Sequence, residues 1–347
     1  RRAGSDMRVL LIKTSSMGDV IHTLPALTDA LSAIPGLQVD WVVEEAFADL
    51  ARRHPAVHQV FPCALRRWRK HPLKARRSGE WAEFKSAVQA TSYDAVIDAQ
   101  GLIKSAFVTR LARGKKFGLD KQSAREGLSA RALDYPLPVA KGQHAIDRVR
   151  QLFALALSYD LPDGAPDYGL PRSHVPTPLS RPAQLVFCHG TTWPTKHYPE
   201  AFWRQLLELA TSEGHTVFLP WGNDAEQSRA QRLSEGLDGA RVLPKMGLDA
   251  LTDKLSSWDA FIAVDTGLAH LAAAAGLPGV ALYGPTDPVL TGVRGIQAHS
   301  LAADFPCAPC VQEKCTYRGE LGKGVEPPCF SSLKPKQVWR ELRRRTA

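Results

Sequence analysis

"RVLLIKTSSMGDVIHTLPAL", residues 8 to 27, joins a short apolar run to a segment with helical spacing through a polar loop. The run RVLLIK has the composition of a buried strand, and Val20, Leu24 and Leu27 then recur at the spacing of one helix face. Strands that alternate with helices build parallel sheets. The stretch therefore predicts a strand–loop–helix unit with its polar loop at the carboxyl end of the strand.

The same alternation continues along the chain. VDWVVEEA and YDAVIDAQG have the composition of further strands, and a helix is expected from Leu102. After a proline-rich stretch the pattern restarts with QLVFCHG, PEAFWRQLLELA, HTVFLPWG, AEQSRAQRLSEGL, WDAFIAVDTG and VALYGPT. We predict an α/β protein with two doubly wound, Rossmann-like parallel-sheet domains. In such folds ligands bind at the carboxyl ends of the strands, so a cleft between the two domains is the expected site.

These patterns divide the 347 residues into five parts. The predicted parts are an upstream extension or tag (1–6), an N-terminal domain (7–160), a linker (161–182), a C-terminal domain (183–330) and a terminal segment (331–347). The terminal segment contains VWRELRRR, a basic helix that we expect to pack back on the N-terminal domain.

Composition indicates a globular protein, with 44% hydrophobic and 23% charged residues. No apolar stretch approaches the roughly 18 to 20 residues of a membrane helix, and the start lacks a signal-peptide pattern. We therefore expect a cytoplasmic location.

The net charge of +9 is concentrated in RRWRKHPLKARR, residues 66 to 77. Such a block favours an anionic partner, which could be nucleic acid, acidic lipid or a phosphorylated or carboxylated substrate. A solvated charged face is the alternative. Because no nucleic-acid-binding module is recognisable, we expect no nucleic-acid partner.

Four of the six cysteines lie close together in the pattern C-x2-C-x4-C-x13-C, at Cys307, Cys310, Cys315 and Cys329. Four thiolates at such a spacing can hold a structural zinc ion. Reduced thiols in an irregular segment are the alternative that we favour, since disulfides are rare in a reducing cytosol.

Three loops after predicted strands carry residues that suit chemistry. In TSSMGD, Gly18 permits a tight turn and the following helix start offers unpaired backbone N–H groups to an anion. Asp19 lies where a helix N-cap would be, and capping is the alternative to a catalytic role.

The second loop is HGTTWPTKHYP, residues 189 to 199. Thr191 and Thr192 offer hydroxyl groups, and Lys196 supplies a positive charge that suits a phosphate. Ordinary surface-turn chemistry explains the glycine, threonines and proline equally well.

The third loop is VDTGLAH, where Asp265, Thr266 and Gly267 precede a helix of small residues. Gly267 allows close approach of a ligand, and Thr266 with the helix N-terminus forms a phosphate cradle. His270 lies one turn into this helix. A helical histidine is more often a core residue, but its position beside an anion site favours a functional role.

Several common motifs are absent from the sequence. No G-x-G-x-x-G follows a predicted strand, which argues against a nicotinamide cofactor domain. Neither G-x-x-x-x-G-K-[ST] nor G-x-S-x-G occurs, which argues against a P-loop enzyme and against an α/β-hydrolase.

Taken together, these loops resemble the lipopolysaccharide heptosyltransferases, a family of two-domain glycosyltransferases with the GT-B architecture. The similarity runs from Met7 to roughly Pro288 and is carried by KTSSMGDVIHTLPALTDAL, VDWVVEEAF, RRWRK, YDAVIDAQGLIKSA, TTWPTKHYPEAFW, LPWG and VDTGLAHLAAA. SSMGDVIHTLPAL together with RRWRK is similar to the members that add the first heptose to the Kdo sugar. Beyond Pro288 the chain departs from the compact members in its longer, cysteine-containing segment.

The resemblance implies an inverting, metal-independent transfer of L-glycero-D-manno-heptose from ADP-heptose to the Kdo of Kdo2-lipid A, without a cofactor. Asp19 matches the proposed general base of the family, and its loop contains Ser15, Ser16 and Gly18. A carboxylate suits this role because general-base help is worth roughly 10²–10⁴-fold in rate.

The resemblance also implies roles for residues of the other motifs. Thr191, Thr192 and Lys196 match positions that hold the donor phosphates. Glu226, after LPWG, matches a residue that contacts the nucleotide sugar. Asp265 matches a residue that faces the heptose, and the same loop contains Thr266, Gly267 and His270. Those expected to meet the acceptor lipid are Arg66, Arg67 and Lys70. An enzyme of this kind would work at an anionic membrane surface, on the cytoplasmic face of the inner membrane.

Two alternatives stay open within the enzyme class. One is a heptosyltransferase that acts at a later core position. The other is a GT-B enzyme, such as a nucleotide-sugar hydrolase or epimerase, that uses no saccharide acceptor.

Overall fold

The computed structural model describes residues 6–172 and 174–347. Of the predicted upstream extension, only Asp6 lies within the described residues. The chain divides into two compact units, Arg1–Leu170 and Pro171–Ala347, and the division falls inside the predicted linker 161–182. The limits proposed above for the individual domains stay predictions.

The first unit contains a six-stranded parallel sheet in the order β3-β2-β1-β4-β5-β6. Its strands are β1 (Arg8–Ile12), β2 (Gln38–Glu44), β3 (Val57–Cys63), β4 (Ser92–Asp98), β5 (Arg113–Leu119) and β6 (Tyr135–Leu137).

Among the described residues of this unit, seven α-helices accompany the sheet. They are α1 (Met17–Ala33), α2 (Ala48–Arg52), α3 (Leu65–Lys70), α4 (Pro72–Arg77), α5 (Glu80–Gln89), α6 (Ile103–Leu111) and α7 (Ala145–Leu157), with short 3-10 helices at Glu45–Phe47 and Gly127–Ala132.

The second unit repeats this plan, with the strand order β12-β11-β10-β7-β8-β9, all parallel. Its strands are β7 (Gln184–Cys188), β8 (Thr216–Leu219), β9 (Ala240–Val242), β10 (Ala260–Val264), β11 (Gly279–Tyr283) and β12 (Ala298–Ala302).

The helices of the second unit complete the βα alternation. They are α8 (Glu200–Ser212), α9 (Asp224–Ser234), α10 (Leu248–Leu255), α11 (Gly267–Ala274), α12 (Pro288–Thr291) and α13 (Pro335–Arg345), with 3-10 helices at Pro194–Lys196 and Pro328–Ser332. The predicted α/β class and the doubly wound sheets are confirmed.

The strand order locates one switch point in each sheet. Counted from the first strand of its own unit, each sheet has the order 3-2-1-4-5-6, in which the first and fourth strands are neighbours and the chain winds outward from them in opposite directions. The loops that leave these two strands diverge to opposite faces and open a crevice at the carboxyl edge. In the first unit they follow β1 and β4, and in the second they follow β7 and β10.

Burial explains why these strands form. Every residue of β10 and β11 is buried, as expected for parallel strands that are covered by helices on both faces. Gly279 lies so close to β10 that an added Cβ would lie 2.4 Å from the carbonyl oxygen of Phe261. Only glycine allows this approach of the two strands.

The predicted basic terminal helix is α13. Its buried residues Val338, Trp339 and Leu342 belong to the hydrophobic core of the second unit, and the Trp339 indole donates to Glu213 at 3.0 Å. Packing of this helix against the first domain stays a prediction. Across the described part of the chain, no helix is both long enough and apolar enough to cross a bilayer.

Candidate active site

The loop after β1 brings Asp19 to the switch point of the first sheet. Ser16 is the N-cap of α1, and Asp19 is the third residue of the helix. Asp19 Oδ2 accepts hydrogen bonds from the Ser16 amide at 2.9 Å and from Ser16 Oγ at 3.1 Å. The expectation that Asp19 is the N-cap residue is therefore wrong. Ser16 is the N-cap, and Asp19 lies three residues later, at position N3, where it completes a capping box with Ser16.

Capping uses only one oxygen of the Asp19 carboxylate. Oδ1 lies 4.0 Å from Lys13 Nζ, and 44% of the Asp19 side chain is exposed. Both residues line a cavity of about 150 Å³ together with His22, Gln100 and Arg148. We call this cavity the Asp19 cavity. Its open carboxylate oxygen and its cations form a polar site that can accept a proton and hold an anion.

The loop after β4 holds the Asp19 loop in place. The Gln100 side chain accepts from the Thr14 amide at 2.9 Å and donates to the Ser15 carbonyl at 2.9 Å. Asp98 is fully buried and accepts from the amides of Gln100 and Gly101. Burial raises the pKa of Asp98, and the hydrogen bonds that it accepts oppose this rise. Two loops that are far apart in sequence are thus fixed together.

Asp265 is the centre of the corresponding site in the second unit. Asp265 Oδ2 lies 2.9 Å from Lys196 Nζ and accepts from Thr286 Oγ1 at 2.7 Å. Thr191 Oγ1 donates to the Asp265 backbone carbonyl at 2.9 Å. Lys196 also lies over the Trp193 ring, 4.7 Å from its centroid. The structure therefore brings together the predicted residues of the loops after β7 and β10.

The remaining residues of the third loop lie where α11 begins. Thr266 is the N-cap and Gly267 is the first residue of the helix. His270 is buried, with Nε2 3.9 Å from Asp265 Oδ1. This helix start offers backbone N–H groups to an anion beside Lys196.

Glu226 connects the loops after β7 and β8. Its carboxylate accepts from the Gly222 amide at 2.7 Å, and a Cβ added at Gly190 would lie 2.5 Å from its Oε1. A side chain at position 190 would therefore collide with Glu226, so Gly190 allows Glu226 to lie against the loop after β7. Thr192 is exposed in the same loop.

Sequence reasoning missed several polar residues of both sites. Lys13 and Gln100 in the first unit were not singled out, nor were Arg229 and Thr286 in the second. Arg229 donates to the His197 ring at 3.2 Å and lines a cavity of about 240 Å³. Strand adjacency could have indicated Gln100, because β4 and β1 are neighbours and their polar ends must meet.

The basic block forms α3 and α4, and its cations differ in their partners. Arg67 donates to both carboxylate oxygens of Glu80, at 2.8 and 3.1 Å, and to Glu45 at 3.4 Å. Arg66 and Lys70 instead line a groove of about 810 Å³. The role of all three in binding an acceptor stays a prediction.

The four clustered cysteines line one small cavity of about 40 Å³. All are free thiols. Burial and the neighbouring thiols raise the pKa of Cys329 to about 12. Within residues 6–172 and 174–347, no group of three or more His, Cys, Asp or Glu side chains is arranged to hold a metal ion. Zinc binding by these cysteines therefore stays a prediction.

Comparisons with known proteins agree on one family. Residues 81–320 match the family model described as glycosyltransferase family 9 (heptosyltransferase). The chain is 52% identical over 344 residues to lipopolysaccharide heptosyltransferase 1 of Pseudomonas aeruginosa, which covers 97% of each protein.

Solved structures of Escherichia coli heptosyltransferase WaaC share the fold. The structure with ADP has a TM-score of 0.85 and 43% identity, covering 98% of this chain and 100% of that chain. The structure with ADP-2-deoxy-2-fluoro heptose has a TM-score of 0.80 and 42% identity, covering 97% and 99%. The GT-B architecture implied by the sequence is confirmed by this match. The chain belongs to glycosyltransferase family 9, the heptosyltransferases.

Proposed function

We propose that this enzyme transfers L-glycero-D-manno-heptose from ADP-heptose to the Kdo of the lipopolysaccharide inner core, with inversion at the anomeric carbon. The Pseudomonas aeruginosa relative is named lipopolysaccharide heptosyltransferase 1, and one solved relative holds ADP-2-deoxy-2-fluoro heptose. The identity of 52% over nearly the whole chain supports the same donor and acceptor class here.

Asp19 acts as the general base in this proposal. The acceptor hydroxyl attacks the anomeric carbon of the heptose, the bond from that carbon to the diphosphate oxygen breaks, and the hydroxyl proton passes to Asp19 Oδ1. The products are the glycoside, ADP and a protonated carboxyl group. Oδ2 stays bound to Ser16, so the helix cap fixes the orientation of the reacting oxygen.

The donor diphosphate binds at the Asp265 site. Lys196, the hydroxyl groups of Thr191 and Thr192, and the start of α11 supply positive charge and hydrogen-bond donors for the negative charge that develops on the leaving ADP. Lys196 exchanges its contact with Asp265 for the phosphate, which leaves Asp265 able to accept from a heptose hydroxyl. Glu226 contacts the nucleotide sugar. These groups provide the charge compensation that a metal-independent transfer needs.

One observation carries the proposal: the residues that the resemblance assigned to base and donor roles lie at the switch points of two separate sheets. Asp19 lies after the first strand of one sheet, and Asp265 lies after the fourth strand of the other. If the first segment were only a helix cap and the second only a surface turn, nothing would require both of them to lie at switch points.

The decisive experiment offers ADP-, UDP- and GDP-sugars together with a Kdo-bearing acceptor and measures which pair reacts. We expect product only with ADP-heptose and a Kdo acceptor that lacks heptose. Preferred transfer to an acceptor that already carries one heptose would favour the later-acting alternative. Consumption of the donor without a saccharide acceptor would favour a hydrolase or epimerase.

The proposal includes a location, and structural zinc is the alternative to the reduced thiols that we favour. An acceptor of this class lies in a membrane, so we expect the enzyme to bind the cytoplasmic face of the inner membrane through its basic block. Structural zinc requires Cys307, Cys310, Cys315 and Cys329 to bind as thiolates. Elemental analysis of the purified protein tests it, and the hypothesis requires one zinc per chain.

A further inference from the structure

The groove beside the basic block has an apolar floor that the proposed chemistry does not use. Trp68 and Trp81 pack edge to face at 5.7 Å, and Trp81 stacks on Phe107 at 5.6 Å. The groove, which we call the aromatic groove, has a volume of about 810 Å³. Trp68, Trp81, Ile103 and Phe107 belong to its apolar lining.

Large apolar side chains are left in water along this groove. Ile103 is 55% exposed and Phe107 is 57% exposed, while the nearby Leu73 is 70% exposed. A cluster of exposed apolar side chains rimmed by polar ones marks a binding surface. An apolar ligand would remove these side chains from water.

The rim of the groove carries only positive charge among its ionisable residues, which are Arg66, Arg69, Lys70, Arg76 and Lys104. In the part of the chain that the structure describes, Arg69, Lys70 and Arg76 form no ion pair with a carboxylate. Their neighbour Arg67, by contrast, is paired with Glu80 and Glu45. The rim therefore complements an anion, whereas the floor complements a hydrocarbon.

The start of α6 joins the aromatic groove to the Asp19 cavity. Lys104 lines the groove, and its Nζ lies 3.4 Å from Ser15 Oγ in the Asp19 loop. The preceding residues Gln100 and Leu102 line the Asp19 cavity. A molecule with its sugar end at Asp19 could therefore place its apolar end in the groove.

We infer that the aromatic groove holds an acyl chain of a phosphorylated glycolipid acceptor, while the cationic rim pairs with the phosphates of the same molecule. This inference rests on the proposed function and adds to it a recognition site for the lipid tail. It commits to a lipid because a peptide of acidic residues would satisfy the rim but would leave Trp81, Ile103 and Phe107 exposed.

The test compares two acceptors that carry the same sugars and phosphates, one acylated and one fully deacylated. We expect kcat/KM for the acylated acceptor to exceed that for the deacylated acceptor at least about tenfold in the wild-type enzyme. The double variant Ile103→Ser, Phe107→Ser should lower this ratio to near one. Both side chains are more than half exposed, so the variant should fold, and thermal unfolding checks this.

The matched control is Leu155→Ser. Leu155 is 48% exposed on α7 of the same unit and does not line the groove. This control should keep the wild-type ratio. A double variant that keeps the ratio would overturn the inference, as would equal kcat/KM for both acceptors in the wild-type enzyme. If neither acceptor is glycosylated, the proposed function fails instead.

A binding experiment without turnover tests the groove directly. Brominated acyl chains quench nearby tryptophan fluorescence, so a brominated lysophosphatidylglycerol below its micelle concentration should quench the wild-type protein. Quenching should fall in Trp81→Phe and in the double variant but not in Leu155→Ser. Absent quenching, or equal quenching of all variants, would contradict the inference. Displacement of the lipid by an acidic peptide that binds more tightly would favour a protein partner.

Discussion

The Asp19 carboxylate divides two tasks between its oxygens. Oδ2 completes a capping box with Ser16, whereas Oδ1 faces Lys13 across the Asp19 cavity. The structural and catalytic interpretations of Asp19 are therefore compatible. Capping fixes the rotamer of the carboxylate, which leaves one oxygen in a set position for a proton.

Asp19→Asn separates the two roles. An asparagine amide oxygen can still accept from Ser16, but the side chain can no longer take a proton at neutral pH. We expect Asp19→Asn to keep the wild-type unfolding temperature and ADP affinity while kcat falls about 10²–10⁴-fold. Asp19→Ala should show the same loss in kcat and a further loss of about 1 kcal/mol in stability. Turnover of the asparagine variant within a few-fold of wild type would contradict the base assignment.

Lys196 is expected to bind the donor diphosphate, and its charge is already matched to Asp265 at 2.9 Å. Lys196→Ala removes a charge-assisted contact that is worth about 1.5–3 kcal/mol, so ADP should bind about 10- to 100-fold more weakly by calorimetry. The variant should also be less stable, because it leaves the buried Asp265 without its cation.

The double variant Lys196→Ala, Asp265→Asn is the control for this effect. It should recover stability, because the unpaired buried charge is gone, but it should not recover ADP affinity. Recovery of both would show that Lys196 acts only as the partner of Asp265.

Among the elements, the buried central strands could be predicted from sequence and the edges could not. RVLLI and AFIAV are continuous apolar runs, which parallel strands covered on both faces require. The edge strand β3, VHQVFPC, carries polar or charged residues at several positions, and so does β5, RGKKFGL, which lies beside the opposite edge strand β6. Their pairing depends on the sheet beside them, which local composition does not report.

The candidate site follows the same division. Asp19, Lys196 and Asp265 were predictable because each belongs to a polar segment that connects a predicted strand to the helix after it. Lys13 and Gln100 were missed because their contacts depend on the pairing of β1 with β4. These two strands are far apart in sequence. The pairing of Arg67 with Glu80 was also unpredictable, because it depends on how α3 packs beside α5.

The terminal helix α13 offers a test at the level of an element. Trp339 is buried in the core of the second unit, and its ring packs on His215 at 5.6 Å. Trp339→Ala should lower the free energy of unfolding by about 3–5 kcal/mol in urea titrations. Its exposed neighbour Arg340 is the control, and Arg340→Ala should change stability by less than about 0.5 kcal/mol. Similar effects of both changes would mean that the helix is not part of this core.

At the scale of the whole molecule, one plan is used twice. Both units wind their strands in the same order, so each has a single crevice at the carboxyl edge of its sheet. The first crevice presents a carboxylate, and the second presents a lysine beside a helix start. The proposed glycosyl transfer needs both a base for the acceptor and a cationic site for the leaving diphosphate, and the two loop chemistries match these two needs.

Each unit also encloses a neutral histidine, which makes stability depend on pH. Burial lowers the pKa of His54 in the first unit and of His189 in the second from 6.5 to about 4. Between pH 4 and pH 6.5 the unfolded chain therefore binds more protons than the folded chain. The contribution of each neutral histidine to the free energy of unfolding is fully present above about pH 6.5 and is lost as the pH falls towards 4. At pH 5 each histidine should cost about 2 kcal/mol relative to pH 7.5, measured by urea unfolding.

Replacing one of these histidines isolates its share of the pH dependence. In the wild-type protein, His54 Nδ1 accepts a hydrogen bond from the Ala56 amide at 3.1 Å. His54→Gln retains a side-chain acceptor for this amide. The variant should lose about 2 kcal/mol less than wild type between pH 7.5 and 5, even if its stability at pH 7.5 is lower. His71→Gln, at an exposed position of the same unit, should keep the wild-type pH profile. The same pH dependence in both variants would show that acid sensitivity arises elsewhere, because a group couples folding to pH only where its pKa differs between the folded and the unfolded chain.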